Sequence, residues 1–321
     1  MPGGAQVQSV ITLPAGLQCW LRPGQQPGTS YPCRLAGRIL VADATVAPLA
    51  PFVIGESAAL LQDRRPLLTG SGKFVCRSTG WIADVWREVD VWRHQQGLRL
   101  QIAGVGEFAV TADAISVTAL EPAVTDAAMA ETLLGPPMAL ALALQGVWCL
   151  HASAVTVDGQ VIAFAGESGN GKSTLAAYLN AAEEGGWRRL ADDTLPVSLG
   201  PNGLVALPHF PQHKLPEAGQ YPVNAPTHLS LAAVYVLAPP GGADAVSLRR
   251  LDPRQAMQAL IRHTVAARLF DKSLLAAHLD FCAETAARIP VWRLAYPHQR
   301  ENLPQVRVTI QRSLSECVAR R

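Results

Sequence analysis

Gly166-Glu167-Ser168-Gly169-Asn170-Gly171-Lys172-Ser173 follows the pattern G-x-x-x-x-G-K-S. Its glycines let successive backbone N–H groups turn inward around phosphate oxygens. Lys172 can reach β- and γ-phosphates, the Ser173 hydroxyl can ligate Mg²⁺, and Thr174 opens the helix-forming run that follows. The octapeptide implies a nucleoside triphosphate with Mg²⁺; ATP is the expected ligand, with GTP left open because the sequence carries no readable base-recognition motif. Asp192 and Asp193 lie 20 and 21 residues beyond Lys172. One carboxylate there can hold Mg²⁺ while its neighbour accepts a proton from an attacking hydroxyl. His151 stands 15 residues before Gly166, where strand pairing would bring its imidazole beside the loop and near the γ-phosphate.

The flanking residues supply the elements these groups need. Val161-Ile162-Ala163-Phe164-Ala165 reads as a buried strand entering the loop, and Thr174 to Leu179 as the helix leaving it. The phosphates would then sit at the positive end of a helix dipole. Trp148 to Val157 and Gln160 to Ala165 read as a hairpin turning at Asp158-Gly159, and Trp187 to Ala191 as a returning strand that completes a βαβ unit. Neighbouring residues of an extended strand point to opposite faces. Asp192 and Asp193 can therefore both act only if the chain turns there, as Thr194 and Pro196 allow.

Upstream, residues 1–125 read as a β-rich domain punctuated at Pro23-Gly24, Pro27-Gly28, Gly70 to Gly72 and Gly104 to Gly106. Trp81 to Trp92 roughly alternates apolar and polar residues, so Trp81, Trp86 and Trp92 are expected to pack within a half-buried sheet, with a ligand platform as the alternative. Helix is expected from Ala127, broken at Gly135-Pro136-Pro137 and resumed to Gln145. Downstream, Leu231 to Leu237 reads as a strand, Arg254 to Leu269 and Lys272 to Ala287 as helices, and Val291 to Ala295 and Val306 to Ile310 as final strands. Residues 126–321 form the expected second domain.

With 321 residues the chain is long enough for two domains, and its net charge of +2 is spread without a basic stripe, which speaks against nucleic acid. Six cysteines lack C-x-x-C or metal-ligand spacing, and the first residues carry no signal core, so a reducing cytoplasm is expected. The most apolar stretch, Met138 to Leu150, is too short to span a bilayer, and no membrane association is expected. His209, His213, His263 and His298 have no nearby cysteine or carboxylate pattern that would make them metal ligands.

His151 with its hairpin, G-E-S-G-N-G-K-S, and G-W-R-R-L-A-D-D occur in that order. Together they resemble the nucleotide-binding core of bacterial HPr kinase/phosphorylase over roughly residues 148–195. The resemblance implies an α/β P-loop kinase core of the HPr kinase / phosphoenolpyruvate carboxykinase type, whereas the β-rich residues 1–125 before it do not look like that family's N-terminal domain. It also implies transfer to a serine hydroxyl. By position, Lys172 and Ser173 bind phosphates and Mg²⁺, His151 lies near the γ-phosphate, Asp192 is the general base, Asp193 supports metal or substrate, and Arg188 matches the family's arginine before the aspartates. Thr174 departs from the family's Glu, and no second signature is found downstream, so phosphorylase activity is not expected. The chain looks like the divergent kinases of peptide-tailoring clusters, including lasso peptide clusters, with a peptide or small protein as acceptor. Self-association is left open.

Arg262 and Lys214 are candidates for additional positive charge at the site. Two other readings stand beside the peptide kinase. One is a kinase of a small hydroxyl metabolite, which would need a closed pocket. The other is a non-catalytic, ATP-dependent switch or scaffold.

Overall fold

The computed structural model describes residues 10–13, 17–20, 30–35, 38–41, 52–56, 68, 71–112, 114–121, 123–182, 186–200, 203–208, 210, 226, 228–241 and 243–319. Lys214, His209, His213 and the turns at Pro23-Gly24, Pro27-Gly28 and Gly70 lie outside them. Two units divide the chain: Met1–Gln145 with Ala266–Leu275, and Gly146–Val265 with Ala276–Arg321. The fold is α/β, with a β-sheet unit toward the N-terminus and a mixed sheet carrying helices.

In the first unit, β1 (Val10–Leu13) and β2 (Leu17–Trp20) form a hairpin. Eight further strands form one sheet: β3 (Ser30–Leu35), β4 (Arg38–Val41), β5 (Phe52–Glu56), β6 (Lys73–Ile82), β7 (Val85–Arg93), β8 (Leu98–Ile102), β9 (Gly106–Val110) and β10 (Ala114–Leu120). The single run expected over Trp81 to Trp92 is in fact the end of β6, a tight turn and β7. Ala83 and Asp84 turn the chain with φ of +48° and +58°, the left-handed pair that matches the twist of a two-residue hairpin. Trp81 and Trp86 face each other across this turn, edge to face at 5.9 Å, and are 59% and 67% exposed rather than packed in the sheet.

Helix α1 (Asp126–Leu134) is capped by Thr125, whose hydroxyl accepts from the Ala128 N–H, and Gly135 separates it from α2 (Pro136–Ala143). Residues Pro137 to Ala143 are all buried, and α2 packs on β9 and β10.

The second unit contains β11 (Trp148–Leu150), β12 (Ala152–Val157), β13 (Gln160–Ala165), α3 (Lys172–Ala181), β14 (Arg188–Ala191), β15 (Leu195–Gly200), β16 (Gly203–Ala206), β17 (Leu229–Leu237), β18 (Ser247–Arg250), α4 (Pro253–Arg262), α5 (Lys272–Arg288), β19 (Val291–Ala295) and α6 (Leu303–Ala319). Helix α5 begins in the last residues of the first unit. The expected βαβ unit is β13, α3 and β14, with β12 inserted between the two strands and antiparallel to both. On the other side, β13, β17 and β19 are parallel neighbours.

Two expected elements differ. Helix α4 stops at Arg262 instead of reaching Leu269, because residues 263–265 pair with β11. His263 O accepts from the His151 N–H at 2.7 Å, and Val265 N–H donates to Cys149 O at 2.7 Å. Val306 to Ile310 lies within α6 rather than in a strand. Its β-branched alternation imitates a strand, but Leu303, Val306, Ile310 and Ser313 are the buried positions, which is helical spacing. Ser313 Oγ also meets Tyr235 Oη at 2.7 Å in the core.

Candidate functional site

Strand direction gathers the chemistry at one edge of the second sheet. β13, β14, β17 and β19 all end there, and β12 begins there. The segments emerging at that edge are His151, residues 166–171, Asp192-Asp193, the chain after Leu237, and Tyr296 onward. In α/β sheets this carboxyl edge is where ligands collect.

The 166–171 loop is held open by backbone conformation. Gly169 and Gly171 have φ of +84° and +81°, which residues with a Cβ rarely adopt. The buried Asn170 donates its Nδ2–H to Leu237 O at 3.1 Å and so ties the loop to β17. Lys172 opens α3 and is buried, with Nζ donating to Gly166 O at 2.8 Å and Glu167 O at 3.0 Å. Ser173 and Thr174 are exposed on the first turn of α3, which carries no acidic residue. A helix N-terminus with an ammonium beside it is a positive, donor-rich place suited to an anion.

His151 interrupts the strand expected from Trp148 to Val157, separating β11 from β12. Since Ala152 pairs with Ala165, His151 stands opposite Gly166 at the start of the loop. Its Nδ1 lies 3.2 Å from Asp193 Oδ1 and 3.2 Å from Asp193 O, and the Ala152 N–H donates to the same Asp193 carbonyl. Asp193 has φ of +98°, a strained value for a residue with a side chain. This bend sends the two carboxylates to different places. Asp192 is 4% exposed, accepting from Ser153 Oγ at 2.7 Å and pairing with Arg189 at 2.6 Å. The Asp193 side chain is 41% exposed and that of His151 35%.

Arg262 ends α4 and places Nε 2.7 Å from Glu167 Oε1, the second residue of the loop. The hydrogen bond from Arg262, with the nearby charges of Arg262, His263 and His151, holds the Glu167 carboxyl below the usual range against partial desolvation. Burial pushes the His263 imidazole down to about 4, although Glu167 pulls the other way. Among the described residues, no cluster of three or more His, Cys, Asp or Glu side chains forms a metal site.

No family profile and no curated protein sequence matches the chain. Its structure is loosely similar to the Hpr(Ser) kinase/phosphatase from Coxiella burnetii. The match has 16% sequence identity and a TM-score of 0.31, and covers 51% of this chain and 88% of that one. Among the described residues, no helix is long and apolar enough to cross a membrane.

The geometry thus brings together His151, Asp192, Asp193, the loop residues Gly166 to Ser173, and Arg262. Arg188, singled out by resemblance, is exposed; it is Arg189 that pairs with Asp192. Sequence reasoning missed Arg189, Ser153 and the Glu167–Arg262 pair. A signal for Ser153 existed: it lies two residues past His151 on β12, the strand beside β14.

Proposed function

We propose that the chain is an ATP- and Mg²⁺-dependent phosphotransferase that carries the γ-phosphoryl group to a serine hydroxyl of a peptide or small protein. The observation that carries this reading is the His151–Asp193 pair beside the glycine loop, with a conformationally strained residue aiming the carboxylate outward. A nucleotide switch needs the loop but has no use for such a pair, so the switch reading is the weaker. The side-chain exposure of Asp193 and His151 supports an acceptor presented on a larger molecule over a metabolite enclosed in a pocket.

The roles of the aspartates are proposed in reverse of those the resemblance implies. Asp192 has its two oxygens engaged by Ser153 and Arg189, so it positions the turn. Asp193 is the proton acceptor. The acceptor hydroxyl attacks the terminal phosphorus, its proton passes to the Asp193 carboxylate, and the bond from that phosphorus to the β–γ bridging oxygen breaks, releasing ADP. His151 orients Asp193 through their 3.2 Å contact and faces the transferring group. Lys172 moves from its loop carbonyls to the phosphates. Arg262, parked on Glu167, supplies a further cation as charge develops.

Ser173, and Asp193 through water, are the residues that would hold Mg²⁺, which neutralises phosphate charge when bound. The fit rests on an exposed hydroxyl and an exposed carboxylate on segments that leave the same sheet edge. The finer domain assignment is also a proposal: the P-loop kinase core lies in the second unit, and the β-rich first unit recognises the acceptor. Incubation with γ-labelled ATP, Mg²⁺ and a panel of serine peptides tests the activity. Labelled phosphoserine is expected from the wild type and none from Lys172→Ala; label appearing only as free phosphate would favour the switch.

A further inference from the structure

Tyr296 and His298 follow β19 at the same sheet edge as the glycine loop, and no role above uses them. Their rings are stacked, with centroids 4.5 Å apart and planes 14° from parallel. Tyr296 is 3% exposed and belongs to the core, whereas His298 is half-buried, so the imidazole is the solvent-side ring. The stack abuts the phosphate loop. A Cβ added to Gly171 would lie 3.3 Å from Tyr296 Oη, which is tight, and 3.5 Å from His298 Nδ1, which is ordinary contact, so both rings border the loop at this glycine.

The segment bearing the stack is held by its own hydrogen bonds. Gln299 N–H donates to Pro297 O at 2.8 Å, Asn302 N–H to Gln299 O at 3.2 Å, and Asn302 Nδ2–H to Pro297 O at 3.3 Å. His298 Nε2 is buried with no hydrogen-bond partner. A buried polar atom without a partner is costly, so the ring is held by its stack on Tyr296 rather than by a hydrogen bond through Nε2. A preorganised aromatic platform next to a phosphate cradle, at the carboxyl ends of parallel strands, has the parts of a nucleoside site.

We infer that residues 296–302 receive the purine base of the nucleoside triphosphate, with the His298 imidazole stacked on it. A purine offers more overlap to the ring than a pyrimidine. The inference rests on the proposed nucleotide reading of the 166–173 loop and adds where the base is recognised.

Calorimetric titration of the full-length chain with Mg²⁺-ATP and with Mg²⁺-tripolyphosphate separates base from phosphate. His298→Ala should weaken ATP binding about ten-fold and leave tripolyphosphate within about two-fold of wild type. Photolabelling of the wild type with 8-azido-ATP should mark the peptide containing 296–302. Unchanged ATP affinity in His298→Ala, equal loss for both ligands, or labelling confined to other peptides would overturn the base site while leaving the phosphate loop intact. A wild type that binds neither ligand would overturn the nucleotide reading, and this inference with it.

Discussion

Asp192 and Asp193 are chemically identical neighbours that the backbone makes different. At the end of β14 the chain turns through φ of +98° at Asp193, so one carboxylate is buried against Arg189 and Ser153 and the other meets His151 at the surface. Holding a side-chain-bearing residue in that conformation costs about 1–3 kcal/mol, and such strain persists where function uses it. Substitution at the two positions should therefore act in opposite directions on stability. Asp192→Ala leaves Arg189 facing an emptied site and should lower unfolding free energy by about 3 kcal/mol. Asp193→Gly relaxes the backbone and should raise it by about 1 kcal/mol. Urea denaturation monitored by tryptophan fluorescence measures both, and equal losses would contradict the division between an anchoring and a presented carboxylate. That these residues reach one edge of the sheet was legible from their order and spacing. Which aspartate is buried and which is presented was not, because that depends on one dihedral angle and on Ser153 of β12.

At the scale of elements, the strand–loop–helix around Lys172 was legible because its signals are local: an apolar β-branched run, glycines at fixed spacing, then helix formers. Elements set by long-range pairing were misread. Helix α4 ends early because β11 takes the backbone of residues 263–265, and Val306 to Ile310 joins α6 because its buried face is chosen by packing on β17. The junction of β11, the end of α4 and α5 also sets a pH response. Burial pushes both His263 and His278 down to about 4 from 6.5, and His278 Nε2 sits 2.9 Å from Thr264 Oγ1 and 3.3 Å from Cys282 Sγ. Between those pH values the unfolded chain takes up protons that the folded chain refuses. Stability is therefore full above about pH 6.5 and falls as pH drops toward 4, at up to about 1.4 kcal/mol per pH unit for each histidine. Denaturation midpoints at pH 7 and pH 5 should differ accordingly, and His278→Gln should remove roughly half of that difference. A midpoint independent of pH over this range would contradict the buried, neutral state of both rings.

For the molecule as a whole, length indicated two parts and the strand–loop–helix pattern an α/β core, but neither indicated which residues belong to each part. Residues 266–275 return to the first unit, and α1 and α2 are grouped with it as well. A domain boundary after residue 145 is accordingly proposed in place of one after 125. A chain beginning at residue 126 would expose Leu133, Met138, Leu140 and Leu142, all buried in the intact protein, and should elute as aggregate in size-exclusion chromatography. A monodisperse, folded fragment would contradict the dependence of α2 on β9 and β10. The proposed function belongs to this scale too, since transfer would require the loop, the His151–Asp193 pair and an acceptor at once. The most direct test is single-turnover transfer from γ-labelled ATP to a serine peptide by full-length wild type and Asp193→Asn, with nucleotide affinity measured in parallel. Asp193→Asn is expected to bind ATP within about two-fold of wild type and to transfer at least about 100-fold more slowly. Transfer at the wild-type rate in that variant would contradict the assignment of Asp193 as the proton acceptor and the phosphotransfer geometry built around it.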